Sequence, residues 1–178
     1  DTLEWVSIDI NSNAQYQTAL DTNGFIHVSD NSGVSWSTPI PEIGRKDWRA
    51  VTVSFTGQYQ TALSFNDPIS ISGNYGVNWT KIYALAVPWA SVAMSSSGQY
   101  QTACVDNGGV YISSNYGNTW SFNSDLGEQL WSDVAISGTG QYQSLLSRYD
   151  NIYMSTDYGA TWETSTNDIN YKHWSSIA

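Results

Sequence analysis

The few basic side chains are the first candidates for binding chemistry, because lysine and arginine attract anions and a guanidinium pairs with a carboxylate through two parallel hydrogen bonds. The chain has only six lysines and arginines, against 16 acidic residues. Together with one histidine, the cationic candidates are Arg45, Lys46, Arg49, Lys81, Arg148, Lys172 and His173. The formal charge of −10 opposes binding to a polyanion, so we expect no nucleic-acid partner.

The other reactive residues do not indicate a catalytic or metal centre. His27 falls in a strand-like segment and His173 in a loop, and neither accompanies a serine or cysteine nucleophile motif. Cys104 is the only cysteine, so it cannot form an intramolecular disulfide, and we expect a small core residue. We assign no catalytic residue, no metal ligand and no cofactor.

Aromatic side chains offer a second kind of binding chemistry, because tryptophan and tyrosine rings stack on sugars and on other flat groups. Rings that recur at regular spacing are expected to pack the fold, whereas rings in or beside segments of variable length are better ligand candidates. These candidates are Tyr83, Trp89, Tyr149 and Tyr171.

An internal repeat must position all of these residues. A tryptophan opens each copy, at Trp5, Trp48, Trp89, Trp131 and, for a fifth start, Trp174. A Gln-Tyr-Gln triplet follows, centred on Tyr16, Tyr59, Tyr100 and Tyr142. A second tryptophan closes each copy, at Trp36, Trp79, Trp120 and Trp162.

The spacing between these landmarks separates a rigid part from a variable one. The opening and closing tryptophans are 31 residues apart in all four copies, whereas the next copy begins 12, 10, 11 and 12 residues later. The predicted repeats are 5–47, 48–88, 89–130 and 131–173, with a partial repeat at 174–178, all within a single domain, 1–178. Length variation is therefore confined to one connection per repeat.

Within each repeat the apolar residues have a period of two, which predicts β-strands. Val6, Ile8 and Ile10 alternate with polar residues, and Gly and Asn mark the turns between such segments. We predict four antiparallel strands per repeat, A to D, with strand B running through the Gln-Tyr-Gln triplet. Four strands every 40-odd residues are typical of a propeller blade, so the predicted fold is an all-β propeller.

The turn between strands C and D carries the most specific motif, a serine, an Asn or Asp, a glycine and a tryptophan at fixed spacing. Its members are Ser29, Asn31, Gly33 and Trp36; Ser72, Asn74, Gly76 and Trp79; Ser113, Asn115, Gly117 and Trp120; Ser155, Asp157, Gly159 and Trp162. The Asn or Asp side chain is expected to accept hydrogen bonds from amides of its own turn, and the glycine to supply a positive φ.

Four matches in register make this pattern resemble the Asp-box, or bacterial neuraminidase (BNR) repeat. The resemblance covers essentially the whole chain and implies a β-propeller of the sialidase-like superfamily. Families with this box include sialidases, sortilin-type receptors, some glycoside hydrolases and photosystem assembly factors. The Asn/Asp position of the box is asparagine in three of the four repeats. We therefore interpret the box as a motif that stabilises its turn, not as a metal site.

Sialidase-like catalysis, as the resemblance implies it, needs three arginines around a carboxylate, a Tyr–Glu nucleophile pair and an acid/base Asp. Arg45, Arg49 and Arg148 are the only arginines, and two of them are four residues apart. The Phe/Tyr-Arg-Ile-Pro segment that often precedes the boxes of sialidases is absent. The chain therefore departs from the enzymatic pattern.

The predicted blade places the D to A and B to C connections on one face, and every lysine and arginine falls in or next to them. This face would suit an acidic glycan or protein carboxylates. The competing interpretation is that strands are fixed by packing and charges collect where sequence is free, since acidic residues share the same loops.

The glutamines that flank each central tyrosine are unusual inside strands, because a buried amide must find hydrogen-bond partners. We predict that they form a ladder between neighbouring blades. The box-turn tyrosines Tyr75, Tyr116 and Tyr158 are expected on the opposite face from the ligand loops.

The sequence favours a non-enzymatic recognition module that binds glycan or protein ligands at an exterior surface, either secreted or on a cell or virion. The alternatives are a fragment of a sialidase-like or other glycoside hydrolase, and a structural or assembly protein. The fifth strand A lacks its own B, C and D partners, so we expect an incomplete ring that is completed either by self-association or by residues outside this sequence. No segment has the length and apolarity of a membrane helix, so no membrane insertion is expected.

Overall fold

A computed structural model describes residues 4–38, 43–82, 86–149, 151–165 and 175–177, and in these ranges all regular secondary structure is β-strand. The chain divides into two compact units, Asp1–Val87 and Pro88–Ala178. Each unit contains about two of the predicted repeats, and each is described by itself.

The described residues of the first unit form seven strands, which pair antiparallel with their neighbours within each repeat. They are β1 (Trp5–Ile10), β2 (Gln17–Asp21), β3 (Ile26–Ser29), β4 (Trp48–Val53), β5 (Gln60–Asp67), β6 (Ser70–Ser72) and β7 (Thr80–Lys81). Strands β1 to β3 form one sheet, extended by an isolated bridge between Val28 and Ser37. The second repeat begins a new meander at β4.

In the second unit, the part of the chain that the structure describes forms eight strands in two further meanders. They are β8 (Val87–Met94), β9 (Gln101–Gly108), β10 (Val110–Ser113), β11 (Ser121–Asn123), β12 (Gln129–Ile136), β13 (Gln143–Ser147), β14 (Ile152–Ser155) and β15 (Glu163–Thr164). The end of β9 also pairs with the start of β12, joining the third repeat to the fourth.

A register break follows the opening tryptophan of every repeat. In the second repeat, Trp48 pairs with Ser64 but Ala50 pairs with Leu63, so one residue of β4 is extra. The same break occurs in β1, β8 and β12. Such a bulge brings Trp48 and Val51, three residues apart, to the same buried side of the strand.

The cores lie between successive repeats. In the first unit, Leu20, Ile26 and Val28 of the first repeat pack with Val51 and Ala62 of the second. In the second unit, Cys104 and Val110 pack with Val134 and Leu145. Cys104 is free and buried, as predicted, and burial raises the pKa of its thiol to about 12.

The opening tryptophans are not equivalent in burial, although the regular spacing predicts a core role for all of them. Trp48, Trp89 and Trp131 are at most 2% exposed, whereas Trp5 is 56% exposed. Trp48 is covered because it packs with Leu20, Ile26 and Val28 of the preceding repeat, and its Nε1 donates a 2.9 Å hydrogen bond to the Gly24 carbonyl of that repeat. The prediction for Trp5 is wrong, because burial of this position comes from a neighbouring repeat.

Strand B begins later than predicted, at the second glutamine of each triplet. The inner glutamines of the second and fourth repeats, Gln60 and Gln143, turn inward and bind the preceding repeat, but their partners are threonines, not other glutamines. Thr18 Oγ1 donates to Gln60 Oε1 at 2.7 Å, and Thr102 Oγ1 to Gln143 Oε1 at 2.6 Å. The outer glutamines lie in the preceding turn, where Gln15 is exposed.

Candidate functional site

The box turns are held by a fixed set of short hydrogen bonds. In the second repeat, Ser72 Oγ accepts from the Gly76 amide at 3.0 Å and donates to Asn74 Oδ1 at 3.1 Å. Asn74 Oδ1 also accepts from the Asn78 amide at 2.9 Å. The other three turns repeat this arrangement. The Asn or Asp oxygen is thus engaged by its own turn.

Each box turn also contains two successive residues with positive φ. In the second repeat these are Tyr75 (φ 63°) and Gly76 (φ 79°). A β-carbon on Gly76 would lie 2.9 Å from Gln60 Oε1 and 3.0 Å from the Val28 side chain. Glycine is therefore required both by the backbone conformation and by the close approach of the preceding repeat.

Three closing tryptophans bind their own turn. The indole Nε1 atoms of Trp79, Trp120 and Trp162 donate to the carbonyls of Gly76, Gly117 and Gly159 at 2.9–3.0 Å. Trp36 is 39% exposed, which leaves part of its ring at the surface.

The predicted cationic surface contains one side chain that is not accessible. Lys46 has only 2% of its side chain exposed, and its Nζ lies 3.0 Å from Asp67 Oδ1 and 5.3 Å from the centre of the Trp48 ring. Burial lowers the pKa of Lys46, although Asp67 opposes this. Lys46 lies before β4 and Asp67 ends β5, so the contact joins the D to A and B to C connections. The Lys46 side chain is buried, which does not fit its predicted role in ligand contact, whereas Asp67 keeps 30% of its side chain exposed.

Arg49 and Arg45 are held against aromatic rings. The Arg49 guanidinium lies 5.0 Å from the centre of the Phe65 ring and 2.8 Å from Asp47 Oδ2. Arg45 lies 4.9 Å above the Phe25 ring. Lys81, at the end of β7, is exposed.

In the second unit, Arg148 and Tyr149 occupy the turn after β13, and both are exposed. Arg148 Nη2 lies 3.7 Å from Asp106 Oδ2, near the end of β9. Trp89 is 1% exposed and packs against Tyr111 with ring centres 5.2 Å apart. Trp89 is therefore not accessible to a ligand, and the prediction that it contacts one is wrong. Tyr83, Tyr171, Lys172 and His173 lie outside the described residues.

A buried carboxylate–imidazole pair was not singled out by the sequence. Asp21 Oδ2 lies 2.8 Å from His27 Nε2, and Asp21 Oδ1 accepts from the Phe25 amide at 2.9 Å. Burial opposes ionisation, but these hydrogen bonds and the adjacent imidazole outweigh it and lower the pKa of Asp21. Trp5 packs edge-on against His27. The pair stabilises the turn between β2 and β3. The only indication of it in the sequence is the six-residue spacing of Asp21 and His27.

Within the described ranges, no cluster of three or more His, Cys, Asp or Glu side chains could hold a metal ion. The same part of the chain contains no helix with the length and apolarity needed to cross a membrane.

No protein-family model and no curated protein matches this chain. Its fold is similar to that of a GH74 enzyme from Niastella koreensis, with a TM-score of 0.75, 15% identity and coverage of 94% of this chain and 25% of that one. It is similar to YCF48 from Cyanidioschyzon merolae, with a TM-score of 0.65, 12% identity and coverage of 94% and 58%. A chain of a nidogen/laminin complex gives a TM-score of 0.71, 9% identity and coverage of 97% and 67%.

These likenesses, together with the antiparallel meanders, support a β-propeller fold. The chain spans a quarter of the length of the GH74 enzyme and 58% of the length of YCF48. At identities of 15% or less, the likeness concerns the fold alone.

Proposed function

We propose that the chain consists of four Asp-box blades of four strands each, followed by the first strand of a fifth blade. We further propose that the D to A and B to C connections of these blades form a recognition surface for protein ligands. The observation that carries this proposal is the exposed arginine–aromatic pair of the first unit. Arg49 and Phe65 keep 44% of the Arg side chain and 42% of the Phe residue exposed while lying 5.0 Å apart.

Arginine and aromatic residues are enriched where proteins bind one another, because an aromatic ring gives a large contact area with few torsions to fix and a guanidinium combines stacking with several hydrogen bonds. Stacking on Phe65 and the ion pair with Asp47 already restrict Arg49, so less entropy is lost on binding. In the second unit, the adjacent residues Arg148 and Tyr149 are both exposed. The nidogen/laminin chain indicates that a similar fold takes part in a protein complex.

A displayed library of random peptides tests the proposal. We expect enrichment of peptides with carboxylates and aromatic residues, and an affinity lowered by about tenfold or more in the Arg49→Ala/Phe65→Ala variant. Val34→Ser is the matched control, because Val34 is an exposed apolar residue of a box turn. Failure to enrich any peptide, or equal losses in both variants, would contradict a protein-binding loop surface.

An acidic glycan is the second candidate ligand, because the same guanidinium groups can pair with a sugar carboxylate. A glycan array that includes sialylated probes distinguishes it from a protein ligand. A fluorogenic sialoside assay addresses the alternative of a hydrolase fragment, and partner capture that is unaffected by Arg49→Ala/Phe65→Ala would favour an assembly role. An exterior location remains part of this proposal.

Self-association is a further component of the proposal. Ile8 is 60% exposed, whereas Val51, at the equivalent position of the second repeat, is 7% exposed beneath the first. Tyr142 is exposed, whereas the equivalent Tyr100 packs on Tyr158 of the next repeat. Both surfaces have the composition of an inter-repeat contact, so we propose that a second copy covers them head to tail.

The particle mass in solution tests this contact. We expect a concentration-dependent dimer or larger species, and a shift to the monomer in Ile8→Asp. Arg49→Ala should leave the mass unchanged. A monomer at every concentration would exclude self-association.

A further inference from the structure

We propose that Asn78, in the box turn of the second repeat, is a site of N-linked glycosylation. The segment Asn78-Trp79-Thr80 has the Asn-x-Ser/Thr pattern that this modification requires, and it is the only such segment in the chain. The inference rests on the exterior location proposed above, because the pattern is used in secreted chains.

The box turn does not require an asparagine at position 78. In the other three turns a serine or threonine occupies this position, and its hydroxyl is hydrogen-bonded to the side chain of the box Asn or Asp. These contacts are Asn31–Ser35, Asn115–Thr119 and Asp157–Thr161, at 2.6–2.9 Å. Asn78 and Asn74 are both described by the structure, and no side-chain bond joins them. The exposed Asn78 carboxamide therefore replaces a side chain that fastens the turn in every other repeat.

The local backbone directs this carboxamide to solvent. Asn78 and Thr80 are exposed, whereas Trp79 between them is 5% exposed and donates from Nε1 to the Gly76 carbonyl. Successive side chains of an extended segment point to opposite sides. The large middle residue of the pattern thus faces the core, and the two residues that the pattern specifies share the solvent side.

A glycan at Asn78 is compatible with the recognition surface of the first unit. In an antiparallel meander, the C to D turn lies at the opposite end of the strands from the B to C and D to A connections. Arg49 and Phe65 belong to those connections and stay accessible. Val77, next to Asn78, is 61% exposed and would be covered by this bulky, hydrophilic group.

The modification joins one oligosaccharide to the side-chain nitrogen of Asn78. Nδ2 forms a bond to the anomeric carbon of an oligosaccharide carried on a lipid diphosphate, and the nitrogen loses one proton. The bond between that carbon and the diphosphate oxygen breaks, and the lipid diphosphate leaves with its electron pair.

Expression of the full chain behind a cleavable secretion signal in mammalian cells tests the inference. We expect a secreted form that is heavier than the polypeptide by one oligosaccharide. Peptide N-glycosidase F should remove the added mass and leave aspartate at position 78, which peptide mass spectrometry locates. Because the added signal imposes secretion, an unmodified product would overturn the glycosylation site without bearing on the exterior location or on the loop surface.

Asn78→Ser removes the acceptor nitrogen and supplies the residue that the first repeat has at this position, so the turn should fold and the added mass should be lost. Thr80→Val keeps Asn78 but should lose the modification as well. Asn118→Ser is the matched control, because Asn118 is an exposed asparagine of the third box turn outside the pattern, and it should keep the added mass. Circular dichroism checks the fold of each variant. Retention of the oligosaccharide in Asn78→Ser or in Thr80→Val would also overturn the proposal.

Discussion

Thr18 Oγ1 donates a 2.7 Å hydrogen bond to Gln60 Oε1, and both residues are fully buried between the first and second repeats. Thr102 and Gln143 repeat the contact between the third and fourth, at 2.6 Å. Gln60 Nε2 donates in turn to the Gly57 carbonyl at 3.1 Å. The threonine therefore determines how the inner glutamine of the next repeat is oriented.

Thr18→Val should destabilise the protein by about 1–3 kcal/mol, because it removes a donor from a buried amide oxygen while retaining the side-chain shape. Urea unfolding measures the change. Thr18→Ser is the matched control, since it keeps the hydroxyl and loses only a methyl group. Equal unfolding midpoints for Thr18→Val and the wild type would show that the link contributes no net stability.

Gly76→Ala should be more damaging than Gly44→Ala, although both positions have positive φ, 79° and 71°. The added methyl group at residue 76 meets Gln60 and Val28, whereas residue 44 has no atom within 4 Å. Gly44→Ala should therefore show only the backbone strain, about 1 kcal/mol, and Gly76→Ala an additional packing cost. Thermal unfolding measures both, and identical losses would refute the packing contribution.

Asp157→Asn should remove part of the acid sensitivity of the protein. The Thr161 hydroxyl and amide and the Ser155 hydroxyl lower the pKa of Asp157, so its contribution to stability is present above about pH 4 and is lost as the pH falls. The variant should unfold at lower pH or with a shallower acid transition. The substitution is conservative, because the other three boxes have asparagine at the equivalent position. Superimposable acid titrations of variant and wild type would contradict the prediction.

Lys46→Met should be tolerated or stabilising, because an apolar side chain of similar length avoids burying an ammonium group, and Asp67, whose side chain is 30% exposed, stays hydrated without its partner. Burial lowers the pKa of Lys46, so the folded state releases its proton more readily than the unfolded state and stability rises with pH in the alkaline range. The variant should lose this rise. Lys81→Met provides the exposed control. A large destabilisation at neutral pH would show that the pair with Asp67 is needed.

Trp48→Ala should cost about 3–5 kcal/mol, because the ring is buried and its Nε1 is bonded to Gly24. Trp5→Ala, the same substitution at the same repeat position, should cost much less because that ring is exposed. Comparison of the two unfolding free energies measures what a neighbouring repeat adds. Similar costs would contradict the interpretation that the preceding repeat makes the difference.

The strands, turns and box hydrogen bonds could be predicted because they depend on residues close together in sequence. The serine, Asn or Asp and glycine of each box are within five residues of one another and determine their own turn. Burial could not be predicted in this way. Trp5 and Trp48 have the same local pattern, but Trp48 is buried against a preceding repeat and Trp5 is exposed.

The binding candidates show the same limit. Lys46 and Arg49 are three residues apart in one basic stretch, yet one is enclosed beside Trp48 and the other is exposed on Phe65. The Tyr16–Tyr75 pair joins residues of different repeats, so spacing within one copy did not reveal this ring contact. Sequence identified the correct residue types, and contacts between repeats decided which of them reach the surface.

The bulge after each opening tryptophan sets the phase of everything that follows on that strand. Deletion of the extra residue, such as Arg49, would return the strand to simple alternation and turn either Trp48 or Val51 away from the core. A change of length at the start of strand A would therefore disrupt the core. Only a few residues earlier, in the D to A connection, the four copies already differ in length. The repeat can therefore vary the length of its D to A connection, but not the number of residues between the opening tryptophan and the rest of strand A.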